Sequence, residues 1–355
     1  MISGFLIAKN NISMGIRRYI LICMCSLLCA FPLSAQKKPR PSYDSTYIHS
    51  YRGYLVGRML FNRKYTRMNI TNERQNYFVR YNPNKTLSIG AGISYKFATL
   101  NLSTGILEPD ASRGHTRNFD FQFHRYGRKL TMDVLVQLYK GFYVPNNKYA
   151  PLGNEYYVRP DLRVNAAGAS VQYVFNNQRF SYRAAFQQTE IQKKSAGTFL
   201  LGAELYAGSL SGDSTIVPTA LLEDFANPLN KLTFVELGPN GGYAHTFVYR
   251  KFFVTGSLTF GLNAGINRYI NSQGASTNFG VSPNTVFRVS TGYGVKRWSI
   301  NLLYISTALH IVKTEDLAVV VNAGNYRMNI VYRFTPSRQV RKALRVIDKV
   351  EDVIR

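Results

Sequence analysis

A strict two-residue alternation in Leu87–Phe97 limits the fold more than any other feature of the sequence. Leu87, Ile89, Ala91, Ile93, Tyr95 and Phe97 fall on one face, and Ser88, Gly90, Gly92, Ser94 and Lys96 fall on the other. Period two indicates an extended strand, and a tilted strand of about 9–11 residues crosses a lipid bilayer. A half-buried strand of a soluble sandwich would give the same alternation, so this segment alone does not decide the fold.

The same pattern recurs along the chain. Further strands are predicted at Phe119–His124, Leu130–Leu138, Ala167–Phe175, Phe180–Gln187, Thr198–Ala207, Gly241–Tyr249, Phe252–Ile266, Thr285–Val295 and Trp298–Ser306. The pair Asn176-Asn177 is a hairpin signal, which predicts that Phe180–Gln187 returns beside the preceding strand. Long loops are predicted near 62–86, 107–117, 140–162, 267–284 and 307–322. They alternate with tight turns, which is typical of an outer-membrane barrel.

The sequence therefore predicts an all-β fold: a transmembrane antiparallel up-and-down β-barrel of 12–14 strands with a short C-terminal helical tail. After residue 35 no run approaches the ~20 apolar residues that a spanning helix needs, and lipid tolerates only closed barrels otherwise. If both ends lie on one side, the strand number is even. Lys231–Leu237, with Gly238–Gly241 as its turn, then supplies a fourteenth strand; twelve strands is the main alternative.

Residues 1–35 are predicted to be a cleaved signal peptide. Arg17 and Arg18 precede a short apolar core, Ile20–Leu33, and Ser34-Ala35 precedes the expected cut, although Leu33 is larger than signal sites prefer. Translation could begin at Met1 or at Met14. The remaining chain is predicted to comprise a periplasmic segment at 36–53, the barrel at 54–334 and a basic tail at 335–355.

The cysteine content and the net charge limit the ligands that the exported chain can bind. Cys23, Cys25 and Cys29 all precede residue 36, so the exported chain offers no disulfide and no thiolate metal site. The net charge of +25, less the three positive charges of Lys9, Arg17 and Arg18, leaves +22 after cleavage. Such a charge predicts anionic partners: membrane lipids including lipopolysaccharide, or an anionic solute in the lumen. Nucleic acid is not expected for an exported protein, and no cofactor is indicated.

The last predicted strand has a distinct pattern. Tyr326, Met328, Ile330, Tyr332 and Phe334 alternate with Arg327, Asn329, Val331 and Arg333. This resembles the signal by which barrel assembly machinery recognises outer-membrane proteins, and that machinery is the expected partner. Beyond Thr335-Pro336, apolar residues at helical spacing lie among basic ones. The tail is expected either to lie as an amphipathic helix on the inner leaflet or to extend into the periplasm.

Several short motifs together resemble one bacterial family of undetermined function. They are Asp44-Ser45-Thr46-Tyr47-Ile48, Tyr81-Asn82-Pro83-Asn84, Tyr139-Lys140-Gly141-Phe142-Tyr143, the run from Phe180 through Gly197, Gly241-Gly242-Tyr243-Ala244-His245-Thr246 and Tyr332-Arg333-Phe334. Across residues 43–334 the chain resembles domain of unknown function 4421. The resemblance implies an outer-membrane barrel of Gram-negative bacteria and carries no known activity.

No catalytic constellation is recognisable. His49, His115, His124, His245 and His310 are scattered without metal-ligand spacing, although His124 and His245 could project into the lumen. Four basic residues at polar strand positions are candidates to line the lumen: Lys96, Arg183, Arg327 and Arg333. Such residues can favour anions in a pore, or can pair with carboxylates such as Asp120, Asp133 or Glu204.

Three functions remain open from the sequence. The first is a passive pore or transporter with a basic lumen. The second is a closed structural or binding barrel, whose loops 62–86, 140–162 and 267–284 would contact surface glycans or proteins. The third is an envelope-lipid enzyme, which would need one histidine to pair with a nucleophile at the rim.

Overall fold

The computed structural model describes residues 43–72, 77–96, 98–145, 147–218, 220–221, 228–311, 317–342 and 344. The predicted signal peptide and the end of the tail, from residue 345, lie outside these ranges. Within them, no helix is long and apolar enough to cross a membrane. The tail begins as a helical turn at residues 338–342, in agreement with the predicted helix.

The described chain is almost entirely antiparallel sheet. Its strands are β1 (Ile48–Ser50), β2 (Leu55–Asn72), β3 (Tyr77–Tyr81), β4 (Ser88–Tyr95), β5 (Ala98–Gly105), β6 (Arg117–Tyr126), β7 (Leu130–Val144), β8 (Tyr157–Val174), β9 (Glu190–Gln192), β10 (Ala196–Ser211), β11 (Leu229–Tyr249), β12 (Phe252–Asn271), β13 (Gly274–Gly294), β14 (Trp298–Ile311) and β15 (Ala318–Phe334).

Twelve strands form an up-and-down barrel wall. The first and last, β2 and β15, pair along their whole lengths, from Leu55 opposite Phe334 to Thr71 opposite Ala318. The wall excludes β1, β3 and β9. Each other wall strand pairs with the next wall strand in chain order, except that β5 and β6 share no ladder among the described residues. Across this seam the sheet curls until Lys64 of β2 lies 3.2 Å from Asp120 of β6. The part of the chain that the structure describes therefore has the alternative count of twelve wall strands, and not the preferred count of fourteen.

Side chains alternate across this wall in the sense opposite to a soluble protein. On β12, Phe260 and Leu262 are exposed on the outer face, whereas Thr259 and Asn263 are buried in the lumen. The same inversion runs around the sheet, with exposed Phe121, Leu201 and Leu237 outside. Water cannot favour such a surface, but lipid can, so the barrel exposes an apolar belt to the membrane. The predicted transmembrane barrel fold is confirmed.

Connections sort by length at the two ends, with two exceptions: the long connection between β8 and β10 at the turn end and the short one between β12 and β13 at the other end. The turn end has short connections at 96–97, 127–129, 250–251 and 295–297, and it also holds the start of β2 and the end of β15. The opposite, loop end carries most long connections. At that end, however, β12 and β13 form one long hairpin, so the predicted loop at 267–284 is wrong. Asn271 accepts hydrogen bonds from the backbone of Gln273 and Gly274, both 3.0 Å, which forms the tight turn.

The predicted turn at Gly238–Gly241 is also wrong, because β11 runs through it. Gly238 and Pro239 remain paired with Glu204 and Ala203 of β10. The ladder to β12 is interrupted there, between Leu237 opposite Ala264 and Asn240 opposite Gly261. A Cβ added at Gly238 would lie 2.1 Å from the Leu262 carbonyl oxygen, so this glycine permits close strand packing.

Candidate functional site

The connection between β8 and β10, the inserted segment (residues 175–195), enters the barrel at the turn end. A strand was predicted at Phe180–Gln187; instead Arg183–Gln187 forms a π-helical turn. Phe180, Tyr182 and Phe186 alternate as in a strand, but Ala185 between them is also buried, with 1% of its surface exposed. Because residues 180–190 are surrounded by the wall, both faces of this part are buried, and alternation no longer distinguishes a helix from a strand.

Side chains of the wall bind the backbone of the inserted segment. Arg58 donates to the Gln187 carbonyl oxygen at 3.1 Å, and Arg333 Nε donates to the Gln188 carbonyl oxygen at 3.0 Å. Ser290 donates to the Ala185 carbonyl oxygen at 2.7 Å. These carbonyls end a helical turn, where no further turn can use them, so the wall supplies their donors. The segment is thereby fixed in the lumen.

The outer part of the inserted segment is held at the turn end by charge. Arg128 contacts Glu190 at 2.5 Å, and the Ser181 hydroxyl donates to the other Glu190 oxygen at 2.5 Å. Burial lowers the pKa of Arg128, and the Glu190 carboxylate opposes that shift. β9 pairs with β1 in a separate two-stranded sheet, joining the segment to residues before the barrel. Residues of the inserted segment and of the chain before the barrel therefore lie together at the turn end.

Polar side chains fill the middle of the lumen. The Glu204 carboxylate accepts hydrogen bonds from Asn240 at 2.9 Å and from Asn263 at 2.8 Å. Gln172 donates to Asn240 at 3.0 Å. Residues of the adjacent strands β8, β10, β11 and β12 are thus connected along the inner face of the wall, and Glu204 keeps two donors in place of the water it has lost.

A second polar cluster lies beside a small cavity in the lumen. Asp133 accepts hydrogen bonds from Arg288 at 2.6 Å and lies 2.6 Å from His124 Nδ1. The adjoining cavity has a volume of about 40 Å³. One water needs roughly 10–15 Å³, so the cavity admits only a few waters. A His–Asp pair is present, but no group of three or more His, Cys, Asp or Glu fit to hold a metal occurs in the described residues.

The loop end of the lumen is closed by an apolar cluster. Its members include Phe142, Leu210 and Leu232 of the wall and Ile216 of the loop after β10, and all four are buried. The Tyr81 hydroxyl donates to the Ile216 carbonyl oxygen at 2.8 Å, which fixes this loop over the barrel. Together with the inserted segment and the polar middle, this cluster places protein side chains at the turn end, the middle and the loop end of the described lumen.

The predicted lumen residues fall at different places. Lys96 is not on a strand: it lies in the turn after β4 with a φ of 54°. Arg183 belongs to the inserted segment, where Nε donates to the Tyr126 carbonyl oxygen at 2.6 Å. Arg327 and Arg333 do lie on the inner face of β15, and Arg333 is fully buried. The strand positions predicted for Lys96 and Arg183 are therefore wrong.

Other predicted side chains are also located. Tyr326, Met328, Ile330, Tyr332 and Phe334 all lie on the outer face of β15, as their alternation predicted. His124 faces inward, whereas His245 lies outside beside Tyr243, so only the first of the two histidine predictions is correct. Arg58 and Arg288 were missed. Each is a charged residue at an inner-face position of a strand whose outer-face residues are apolar. This pattern in the sequence indicates a charged side chain inside the barrel.

Comparison with known proteins identifies the family. The model of a domain of unknown function, DUF4421, matches residues 42–334, nearly the whole described barrel. The chain belongs to the DUF4421 family. This confirms the resemblance found in the sequence. No curated protein matches by sequence.

Distant similarity to solved outer-membrane barrels also exists. Outer membrane protease OmpT of Escherichia coli is 8% identical with a TM-score of 0.36, over 81% of this chain and 98% of its own. The translocator domain of autotransporter NalP of Neisseria meningitidis is 8% identical with a TM-score of 0.31, over 92% and 98%. Neisserial surface protein A is 11% identical with a TM-score of 0.20, over 79% of this chain and 97% of its own. Similarity this low carries no functional argument. This DUF4421 protein is an outer-membrane β-barrel.

Proposed function

We propose that this DUF4421 barrel is a closed binding or structural protein of the outer membrane. The proposal is supported by the side chains and backbone that occupy the lumen at the turn end, in the middle and at the loop end. The inserted segment occupies the turn end, and hydrogen-bonded amides and carboxylates occupy the middle. The apolar cluster that includes Phe142 and Ile216 occupies the loop end. A barrel filled in this way acts through its outer wall and its loops.

The orientation follows from the connections. Outer-membrane barrels place short turns in the periplasm and long loops outside. The turn end, with both ends of the barrel chain, then faces the periplasm, which agrees with export through the predicted signal peptide. The loop end, including residues 145–156 and the loop after β10, would face the exterior and contact glycans or proteins there.

A passive pore or transporter is the competing function. It is favoured by the basic side chains Arg58, Arg327 and Arg333 on the inner face, which would suit an anion. Two of the three, Arg58 and Arg333, already donate to carbonyls of the inserted segment. Conduction would therefore require the segment to leave and the apolar cluster at the loop end to open.

Planar-bilayer recording of the refolded full chain tests the proposal. We expect a silent protein whose migration on gels changes with heating, the behaviour of a folded barrel. Stable unitary conductance steps from the same folded preparation would reject the closed barrel in favour of the pore. The reversal potential in a salt gradient would then show whether anions are preferred.

A further inference from the structure

A row of basic side chains crosses the outer wall at one level. The ladder places Arg117 of β6 opposite Lys140 of β7, and Lys140 opposite Arg163 of β8. Arg163 lies opposite Ser211 of β10, which in turn lies opposite Lys231 of β11. We call Arg117, Lys140, Arg163 and Lys231 the basic row. All four side chains are exposed. Over five adjacent strands the row spans roughly 20 Å.

The basic row has little charge compensation from the protein. Residues directly opposite in antiparallel strands have Cβ atoms about 5 Å apart, and like charges there repel. The carboxylates on the neighbouring strands, Asp120, Asp133, Glu204 and Glu236, occupy inner positions of the wall. None of the ion pairs recorded among the described residues includes a member of the row. A bound anion is the natural partner for four such cations.

The carboxylate closest in sequence to Arg163 already has another partner. Asp161, two residues before Arg163, accepts two hydrogen bonds from Arg159, at 2.9 and 2.8 Å. Arg159 is buried and also donates to the Thr215 carbonyl oxygen at 2.7 Å. This pair fixes the loop after β10 and leaves Arg163 to face outward.

The basic row lies at the loop-end border of the apolar belt. On β6 the exposed outer residues on the turn-end side of Arg117 are Phe119, Phe121 and Phe123. On β7, Leu138 is the next outer residue on the turn-end side of Lys140. Arg268 of β12 extends the row, since it lies opposite Thr233, two residues along β11 from Lys231. At this border the headgroups of the membrane meet the wall.

We propose that the basic row binds the phosphate groups of lipopolysaccharide in the outer leaflet. The inference rests on the proposed orientation, in which the loop end faces outward, and it names the ligand of the outer wall. A lipid with several phosphates on one headgroup suits a row that spans five strands better than a phospholipid with a single phosphate. Arginine binds phosphate through two parallel hydrogen bonds, and lysine binds it as a point charge.

The test compares two triple variants of the refolded full chain. Lys140→Gln/Arg163→Gln/Lys231→Gln removes three charges of the basic row. The matched control, Arg250→Gln/Lys251→Gln/Arg297→Gln, removes three charges at the turn end. Both must show the heat-dependent gel shift of a folded barrel. The probes are purified lipopolysaccharide, the same material treated with phosphatase, and phosphatidylglycerol vesicles, each titrated and its bound fraction measured.

We expect the row variant to bind lipopolysaccharide about 100-fold more weakly, since each basic residue near an anionic surface contributes about fivefold. The control should bind like the native chain, and phosphatase treatment should remove the difference. Equal binding by the row variant and the native chain would overturn the proposal, as would an equal loss in the control. Equally tight, row-dependent binding of phosphatidylglycerol would overturn the choice of lipopolysaccharide.

This result is separable from that of the proposed function. A chain that conducts ions and still binds lipopolysaccharide through the row would reject the closed barrel alone. A silent barrel with no row-dependent binding would reject the lipid site alone.

Discussion

Arg333, in the last strand, donates from Nε to the Gln188 carbonyl oxygen of the inserted segment at 3.0 Å, although 145 residues separate the two. The same guanidinium donates to the Ser299 hydroxyl at 2.9 Å and lies 4.6 Å from the Tyr51 ring. One side chain thus joins the closing strand, the segment inside the barrel and the chain before the barrel. Folding of the wall and filling of the lumen are therefore coupled.

Replacing Arg333 with Met should lower the free energy of unfolding by about 2–6 kcal/mol. The change leaves buried acceptors at Gln188 and Ser299 without their donor, at about 1–3 kcal/mol each. Urea unfolding in lipid vesicles, followed by fluorescence of the single tryptophan, Trp298, measures the loss. Arg297→Met, at an exposed neighbouring turn, is the control and should change stability little.

The Asp133–Arg288 pair predicts strongly non-additive mutations. Asp133→Leu alone leaves the buried Arg288 without its carboxylate and should cost about 3–5 kcal/mol. Adding Arg288→Met should restore most of the loss, because the two apolar side chains then pack without an uncompensated charge. The same urea titration applies to both single variants and the double variant. Additive losses would show that the pair is not coupled.

Glu204→Gln should destabilise the barrel by about 1–3 kcal/mol despite its similar shape. Glu204 accepts from two amide groups, and a glutamine NH₂ would meet one of those donors with another donor. Glu108→Gln, at an exposed loop position, is the control. An unchanged midpoint for Glu204→Gln would mean that the two asparagines bind other acceptors.

The seam predicts uneven hydrogen exchange. Among the described residues β5 pairs with β4 alone, whereas β12 pairs with both β11 and β13. Peptides covering 98–105 should exchange their amide hydrogens faster than peptides covering 252–271, since local opening of an edge strand breaks fewer contacts. Equal protection of the two would show that β5 and β6 form a ladder in solution.

Much of the wall was predictable, because lipid outside and polar groups inside impose period two on Phe119–His124, Leu130–Leu138 and Tyr326–Phe334. Two of the errors have the same physical cause. Alternation reports a difference between two faces, and Phe180–Gln187 has none because the wall surrounds it. Near the loop end, Gly274–Asn278 carries small or polar side chains on both faces of a true strand, and this composition suggested a loop.

The lumen contacts were harder to predict than the strands. Lys96 has the polar position of a strand residue, but the turn that it occupies depends on a backbone conformation that the alternation does not encode. Arg333 was identified as an inner residue, whereas its binding of Gln188 depends on a long-range approach. The basic row is invisible in the sequence, because Arg117, Lys140, Arg163 and Lys231 are brought level only by the register of four ladders.

Thiol labelling of the inserted segment tests the filled lumen most directly. No cysteine follows residue 29, so Ala185→Cys introduces a single thiol into the exported chain at a buried site, and Lys194→Cys introduces one at an exposed site of the same segment. A water-soluble maleimide should label Lys194→Cys within minutes in the folded barrel and leave Ala185→Cys unlabelled until urea unfolds it. Rapid labelling of both thiols in a barrel that still shows the heat-dependent gel shift would contradict the account.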